Sequence, residues 1–274
     1  MEITPLILTY NEAPNIGRTL ERLAWANEVV VVDSFSTDDT LPIARGFPNV
    51  RIVQRPFDSF ADQCNFGRQQ IQTPWVLSLD ADYILSEELV RELSQLSTIN
   101  SNLSTPAFSA RFRYCIHGRP LRASLYPPRT VLYRKDQARY RDEGHGHRVQ
   151  IDGPVGQLSG RIDHDDRKPL DRWFSEQLRY SARDAEHLLA TPLADLSRPD
   201  RIRRKVIFAP PLVFLYTLFG KGLILDGWPG WYYVLQRTLA EVLLSMRLLE
   251  QKVKRRNSEK QEEDEITNRE GRKS

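Results

Sequence analysis

Two stretches, EVVVVD at residues 28–33 and WVLSLD at residues 75–80, limit what this chain can fold into. Neither alternates apolar with polar residues, so a strand formed by either is buried on both faces. Strands of that kind belong to a parallel sheet covered by helices, and the neighbouring segments supply the rest of such a sheet. ITPLILT at 3–9 and VRIVQ at 50–54 are further strands. Between the strands lie helical patterns. One is opened by Pro14 with Ile16, Leu20 and Leu23 on a single face, one starts near Asp39, and one crosses residues 59–71.

In open parallel sheets, ligands collect at the carboxyl ends of the strands. Polar residues stand at three of those ends: Tyr10-Asn11-Glu12, Asp33-Ser34 and Asp80-Ala81-Asp82. A D-x-D triplet turns up about once by chance in a chain this long, and a second occurs at Asp163-His164-Asp165, so position has to decide between them. In an extended strand residues i and i+2 share a side, so Asp80 and Asp82 are expected to project together. Two carboxylates so placed suit a hard divalent cation, Mg2+ or Mn2+, that keeps positions open for substrate phosphates. Neither G-x-G-x-x-G nor G-x-x-x-x-G-K-[ST] occurs, which removes the main support for a dinucleotide or P-loop site. S-T-D-D at 36–39 reads at least as well as a helix-capping box as it does as a diphosphate contact.

Residues 106–165 change to short strand-like pieces rich in basic and aromatic residues, FSARFRYCIHG, RTVLYRK and GQLSGRIDH, expected as an antiparallel edge or flap. Helix returns over 169–190. RPDRIRRK at 198–205 carries five basic residues in eight and runs straight into the uncharged VIFAPPLVFLYTLFG. A spanning helix needs about 20 apolar residues, and this run is shorter and holds Pro210-Pro211. With the later GWPGWYY it reads as lying on an anionic bilayer surface rather than in the core. LAEVLLSMRLLEQ at 239–251 is an amphipathic helix, and the mixed-charge tail beyond is expected to be disordered. The formal charge of +3 over 274 residues gives no case for a nucleic-acid partner. Cys64 and Cys115, far apart and without metal spacing, read as reduced packing thiols. The start of the chain carries no leader pattern, so a cytoplasmic protein is expected, peripheral on the inner face of the cytoplasmic membrane.

LTYNEAPNIGRTLERLAWANEVVVVDSFSTDDT, RPFDSFADQCNFG and WVLSLDADYIL together resemble a family 2 glycosyltransferase of GT-A fold. The nearest branch in pattern is that of the lipopolysaccharide core-type glucosyltransferases. HRVQIDGPVGQLSGRIDH and FGKGLILDGWPGW extend the resemblance over roughly residues 3–250. It implies an α/β fold with a mostly parallel sheet flanked by helices, an antiparallel flap and a C-terminal helical extension. The domains expected are a GT-A-like domain over 1–168, a membrane-associated helical extension over 169–250 and the tail 251–274. The implied reaction moves a sugar with inversion from a nucleotide sugar, usually of uridine diphosphate, to a lipid-linked or cell-envelope saccharide. Carried over by position, Tyr10, Asn11, Glu12 and Asp33 contact the nucleotide, Asp80 approaches the ribose, and Asp82 holds the Mn2+ or Mg2+. His164 is placed as a second metal or diphosphate contact.

Inversion needs a base for the acceptor hydroxyl. The branch usually shows His-Glu before Arg-Val, whereas Gly146 and His147 stand there in GHGHRV, so the base is either His147 or a neighbour such as Glu143. A second departure is Cys64, where relatives often carry Arg. Arg68, one helical turn on, could substitute for it. The missing Glu also leaves open a membrane-bound binding protein that has lost turnover.

Overall fold

The computed structural model describes residues 2–98, 105–143 and 146–271. The chain divides into two compact units, the first formed by Met1–Leu170 with Lys221–Tyr232, the second by Asp171–Gly220 with Tyr233–Ser274.

The first unit begins with strict alternation of strand and helix: β1 (Ile3–Thr9), α1 (Ile16–Glu21), β2 (Val29–Asp33), α2 (Thr40–Arg45), β3 (Val50–Gln54), α3 (Phe60–Gln69) and β4 (Trp75–Asp80). After a two-residue turn come β5 (Tyr83–Leu85) and α4 (Glu87–Thr98). Then follow β6 (Ala107–Ile116), β7 (Arg119–Pro120), β8 (Arg129–Arg134), β9 (Ala138–Glu143), β10 (Gly146–Ile151) and β11 (Val155–His164). Among the described residues these build a nine-stranded sheet of order β3-β2-β1-β4-β8-β6-β11-β5, with β7 attached to β6, and a separate hairpin of β9 and β10.

The first four strands in that order are parallel, and β2 is buried at every residue. That matches a Val run with no polar face. Ile16, Leu20 and Leu23 sit in the core against it, as their spacing predicts. The second half of the sheet is mixed, with β8 antiparallel to both β4 and β6, β6 parallel to β11, and β11 antiparallel to β5. The expected antiparallel flap is therefore two things: strands that continue the main sheet, and the β9–β10 hairpin beside it. Asp82 lies in the turn between β4 and β5, not in an extension of β4. The argument that placed Asp80 and Asp82 on one side of an extended strand does not apply.

The second unit contains α5 (Leu170–Ala190, its first residue in the first unit), α6 (Arg198–Arg203), α7 (Ala209–Leu215) and most of α8 (Trp228–Gly271). Ala185, Leu188, Leu196, Val206, Leu244 and Leu248 form its core. Arg203, from the basic cluster, reaches the buried Glu241 at 2.7 Å and Asp200 at 2.9 Å, so that charge is used inside the unit. The backbone stays helical through Gly271, where the sequence led to a disordered tail from 251. Mixed charges repeated every three to four residues support a helix as well as they solvate a coil; Lys254 pairs with Glu250 at 2.8 Å one turn away.

Gly160 shows how tightly the first unit is assembled. A Cβ there would lie 2.5 Å from the backbone of Leu89 in α4, so the helix can approach β11 only over a glycine. Backbone cannot be displaced as a flexible side chain can. Gly160→Ala is expected to destabilise the first unit by about 1–3 kcal/mol, measured as a shift in the midpoint of urea unfolding.

Candidate active site

The site is built where β1, β2, β4 and β11 end. His164, the last residue of β11, stands opposite Tyr83 of β5 and Tyr114 of β6 in the two ladders that flank it. Cross-strand neighbours share a face, so the rings meet. Ring centroids lie 5.4 Å from Tyr83, 4.7 Å from Tyr114 and 4.8 Å from Tyr126, which arrives from the loop before β8. The Tyr83 and Tyr126 hydroxyls are hydrogen-bonded to each other. Burial, then the negative charge of Asp80, pushes both phenols up, so both stay protonated. The aromatic wall is neutral.

Within it, His164 Nε2 lies 3.1 Å from Asp82 Oδ2. Burial opposes ionisation of Asp82, but the imidazole beside it outweighs that penalty and brings the carboxyl down to about 2. Burial also opposes the charged form of His164; Asp82, and more weakly Asp80 and Asp166, outweigh it and raise the imidazole. Asp80, Asp82 and His164, expected from the sequence to meet at one site, thus act on one another electrostatically. Asp82 Oδ1 and His164 Nδ1 are buried and have no hydrogen-bond partner among the described residues.

A few residues away, Asn15 is wholly buried and joins three segments. Its amide nitrogen donates to Glu12 and to Asp166, each at 2.9 Å, and its oxygen accepts from Arg18 at 2.7 Å and from the Arg167 backbone at 2.9 Å. Lys168 Nζ pairs with Glu12 at 2.9 Å and Asp166 at 3.3 Å. Burial, reinforced by Asp82, pushes the Glu12 carboxyl up to about 7 although Lys168 and Asn15 pull the other way. Asp165 is clamped by Arg18 at 2.6 Å, Arg167 at 2.8 Å and the Gly118 backbone N–H at 2.8 Å. Asp163 is held by a bidentate contact from Arg113 at 2.6 and 2.8 Å. The second D-x-D is therefore a pair of structural clamps around the one residue that faces the site. Asn15, Arg18, Asp165 and Lys168 were not found from the sequence. Lys168 and Asp165 stand beside His164 in RIDHDDRK, which was the available signal.

At the β1 and β2 ends, Asn11 takes φ 55° and Phe35 φ 59°. These left-handed turns let Asn11 N–H donate to Ser36 at 2.8 Å and Asn11 Oδ1 accept from Thr37 N–H at 2.7 Å. Tyr10 and Phe35 are half exposed at this rim. Asp33, expected as a nucleotide contact, is tied to its own loop. It is fully buried, and its carboxylate accepts from Thr9 at 3.1 Å, from Ser36 N–H at 2.9 Å, from Ser36 Oγ at 2.5 Å and from Gln54 at 3.1 Å. Four internal donors make it an organiser of the loop that carries Ser34 to Thr37.

Cys64 is core, packed with Leu6, Val30 and Val76. Arg68 donates to the Lys135 carbonyl at 2.5 Å, so its guanidinium is engaged in holding α3. Glu143 and His147 fall on the facing ends of β9 and β10; their side chains lie outside the described part of the chain. Among the described residues no three His, Cys, Asp or Glu side chains form a metal cluster.

The family model of glycosyl transferase family 2 matches residues 6–149. The chain belongs to this family. The lipopolysaccharide core biosynthesis glycosyltransferase LpsC of Rhizobium meliloti (strain 1021) is 27% identical over 244 residues, covering 84% of this chain and 85% of that protein. An uncharacterized glycosyltransferase of Rickettsia bellii (strain RML369-C) is 31% identical over 143 residues, 51% of this chain and 48% of its own. The solved S. aureus TarS 1-349 in complex with UDP-GlcNAc covers 93% of this chain and 92% of its own at 15% identity, with a TM-score of 0.46. Membership gives Tyr10, Asn11, Glu12, Asp33 and Asp80 a common location within the matched segment, and His164 lies beyond its end.

Because Asp33 is satisfied internally, it contributes to stability without any nucleotide. Asp33→Asn puts an amide NH2 against the Ser36 and Gln54 donors and is expected to lose about 1–3 kcal/mol. Urea unfolding of the nucleotide-free protein measures this; unchanged stability would return Asp33 to a role in ligand contact alone.

Proposed function

We propose that this chain is an inverting, metal-dependent hexosyltransferase that moves a sugar from a uridine diphosphate sugar to a hydroxyl of a lipid-linked or envelope saccharide. The observation that carries the reading is the buried Asp82–His164 pair. Asp82 is kept anionic, yet one of its oxygens has no partner among the described residues, where an unmet acceptor costs about 1–3 kcal/mol. A divalent cation fits that donor set. Mg2+ and Mn2+ are commonly held by one or two protein ligands with phosphate oxygens and water completing the shell, which agrees with two candidate ligands rather than three. Asp82 and His164 would hold the ion; bound there, it supplies charge neutralisation to the diphosphate leaving group.

The remaining roles belong to the chain's own residues. Tyr10 and Asn11 present the rim to the base and ribose, and Asp33 keeps that rim in shape. Asp80 would approach the ribose. Tyr83, Tyr114 and Tyr126 wall the Asp82–His164 pair from water, which strengthens every charge interaction inside. Proton removal from the acceptor falls to His147 or Glu143 on the β9–β10 hairpin. The similarity to the lipopolysaccharide core biosynthesis glycosyltransferase of Rhizobium meliloti supports an envelope saccharide as acceptor.

The second unit supports delivery to a membrane surface. Its apolar run is not buried as a core helix would be. Ile207 is 74% exposed and Phe219 57%, with Phe208, Leu212, Leu215 and Tyr216 also about half exposed. Among the described residues no helix is long and apolar enough to cross a membrane. The exposed face follows directly on the basic residues of 198–205, the pattern of a segment seated among anionic headgroups.

Purified protein with uridine diphosphate sugars and Mn2+ is expected to release uridine diphosphate, and chelation by EDTA to stop the release. Asp82→Ala should lower it by about 100-fold or more. Release that survives both treatments would show the metal role of Asp82 to be wrong. For the membrane, co-sedimentation with vesicles containing phosphatidylglycerol should fall at least about tenfold in Ile207→Glu/Phe219→Glu, since each charge placed in the interface opposes insertion; equal co-sedimentation removes this segment from the binding surface.

A further inference from the structure

Strands β6 and β11 have two faces, and only one of them serves the site described above. Phe112, Tyr114, Ile162 and His164 point to the aromatic wall and the core. Alternation puts Arg111, Arg113, Arg161 and Asp163 on the other face. Arg161 is the register partner of Arg111, and Asp163 that of Arg113. The second pair is an ion pair at 2.6 Å. The first is two cations side by side.

Like charges facing each other across a ladder are unfavourable unless something lies between them. Arg111 donates to the Ser159 carbonyl at 3.1 Å, and neither Arg111 nor Arg161 forms an ion pair among the described residues. Both line a cavity of about 320 Å3 together with Glu88, Tyr114, Arg122, Ser124 and Ser159. Arg122 is already paired with Asp226 at 2.7 Å and Arg113, also in the lining, with Asp163 at 2.6 Å; Arg111 and Arg161 face only the carboxylate of Glu88, so the cavity keeps one positive charge in excess. Two arginines lining one concavity supply the several N–H donors that a planar or tetrahedral oxyanion takes. The volume is at the lower end of ordinary small-ligand sites, large enough for one sugar ring.

We infer that this cavity is a second binding site, adjoining the aromatic wall at Tyr114, for the phosphate or carboxylate group of an anionic saccharide. Tyr114 lies in its lining and in the aromatic wall around His164, and the hydroxyls of Ser124 and Ser159 supply neutral partners for a sugar attached to that anion. The site goes beyond the transferase reading and is independent of metal and nucleotide.

Isothermal titration without metal or nucleotide tests it, with glucose 6-phosphate, glucuronate, glucose and inorganic phosphate as probes. Glucose 6-phosphate or glucuronate should bind and glucose should not. Arg111→Ala/Arg161→Ala should weaken binding at least tenfold, while Arg111→Lys/Arg161→Lys, which keeps the charge and loses the fork, should weaken it less. Both positions are exposed, and an unchanged melting temperature in the lysine variant confirms that the comparison is made on folded protein. Equal affinity in the wild type and the alanine variant overturns the site. Inorganic phosphate binding as tightly as glucose 6-phosphate overturns the saccharide part. Loss of binding to anionic vesicles in the alanine variant, with no sugar phosphate binding in the wild type, overturns it in favour of a lipid headgroup.

Discussion

Everything at the working end of the first unit depends on ionisable side chains withdrawn from water and paired with one another. Glu12, Asp82, His164, Asp165 and Lys168 are all largely buried, and an isolated charge in that position would cost several kcal/mol. Each is tolerable only because of its neighbour. The same burial has opposite outcomes for the two carboxyls nearest the centre: Asp82 is held down by His164, whereas Glu12, beside Lys168 but also within the field of Asp82, is pushed up. Two neighbouring acids are thus shifted in opposite directions by their different partners.

That network also fixes geometry. Asn15, just before α1, and Thr19 within it bind, respectively, the segment after β11 and the Ala81 carbonyl of the D-A-D turn, the latter at 2.6 Å. Asp165 N–H donates to the Asp82 carbonyl at 3.1 Å. A helix, a turn and a strand end from distant parts of the sequence are thereby held in one arrangement before any ligand enters. Binding energy then need not be spent on ordering them.

The parallel half of the sheet was legible because its strands are buried on both faces, and a run such as VVVVD has no other stable environment. The strand-end residues were legible for the same reason, since the sheet dictates where polar groups can surface. Asp82 was set beside Asp80 by an argument that failed: the chain turns at Ala81 rather than continuing, and a two-residue turn leaves little trace in a sequence. Asn15 with Asp166, and Glu12 with Lys168, meet across more than a hundred residues, so local pattern carried no sign of them. The hydrogen bonds that tie Asp33 to its own loop left no sign in the sequence, because a residue ending a strand looks the same whether or not its loop folds back onto it. Arg111 and Arg161 were passed over as part of a generally basic segment; only the register between β6 and β11 makes them neighbours.

The first unit is completed by residues that come late in the chain. Lys221–Tyr232 belongs to it although Asp171–Gly220 intervenes. Asp226 pairs with Arg122, Trp228 lies under the Arg119 guanidinium at 5.5 Å, and His117 packs near Trp228 and Tyr232. During synthesis the catalytic half therefore cannot close as soon as its sheet has emerged from the ribosome. The turn around residues 117–122 has to wait for its partners until most of the helical half has also been made. Vectorial folding of one half after the other, the simple order for two consecutive domains, is not open to this chain. Nor can the catalytic half be obtained by cutting after Leu170 without removing the partners of Arg119 and Arg122.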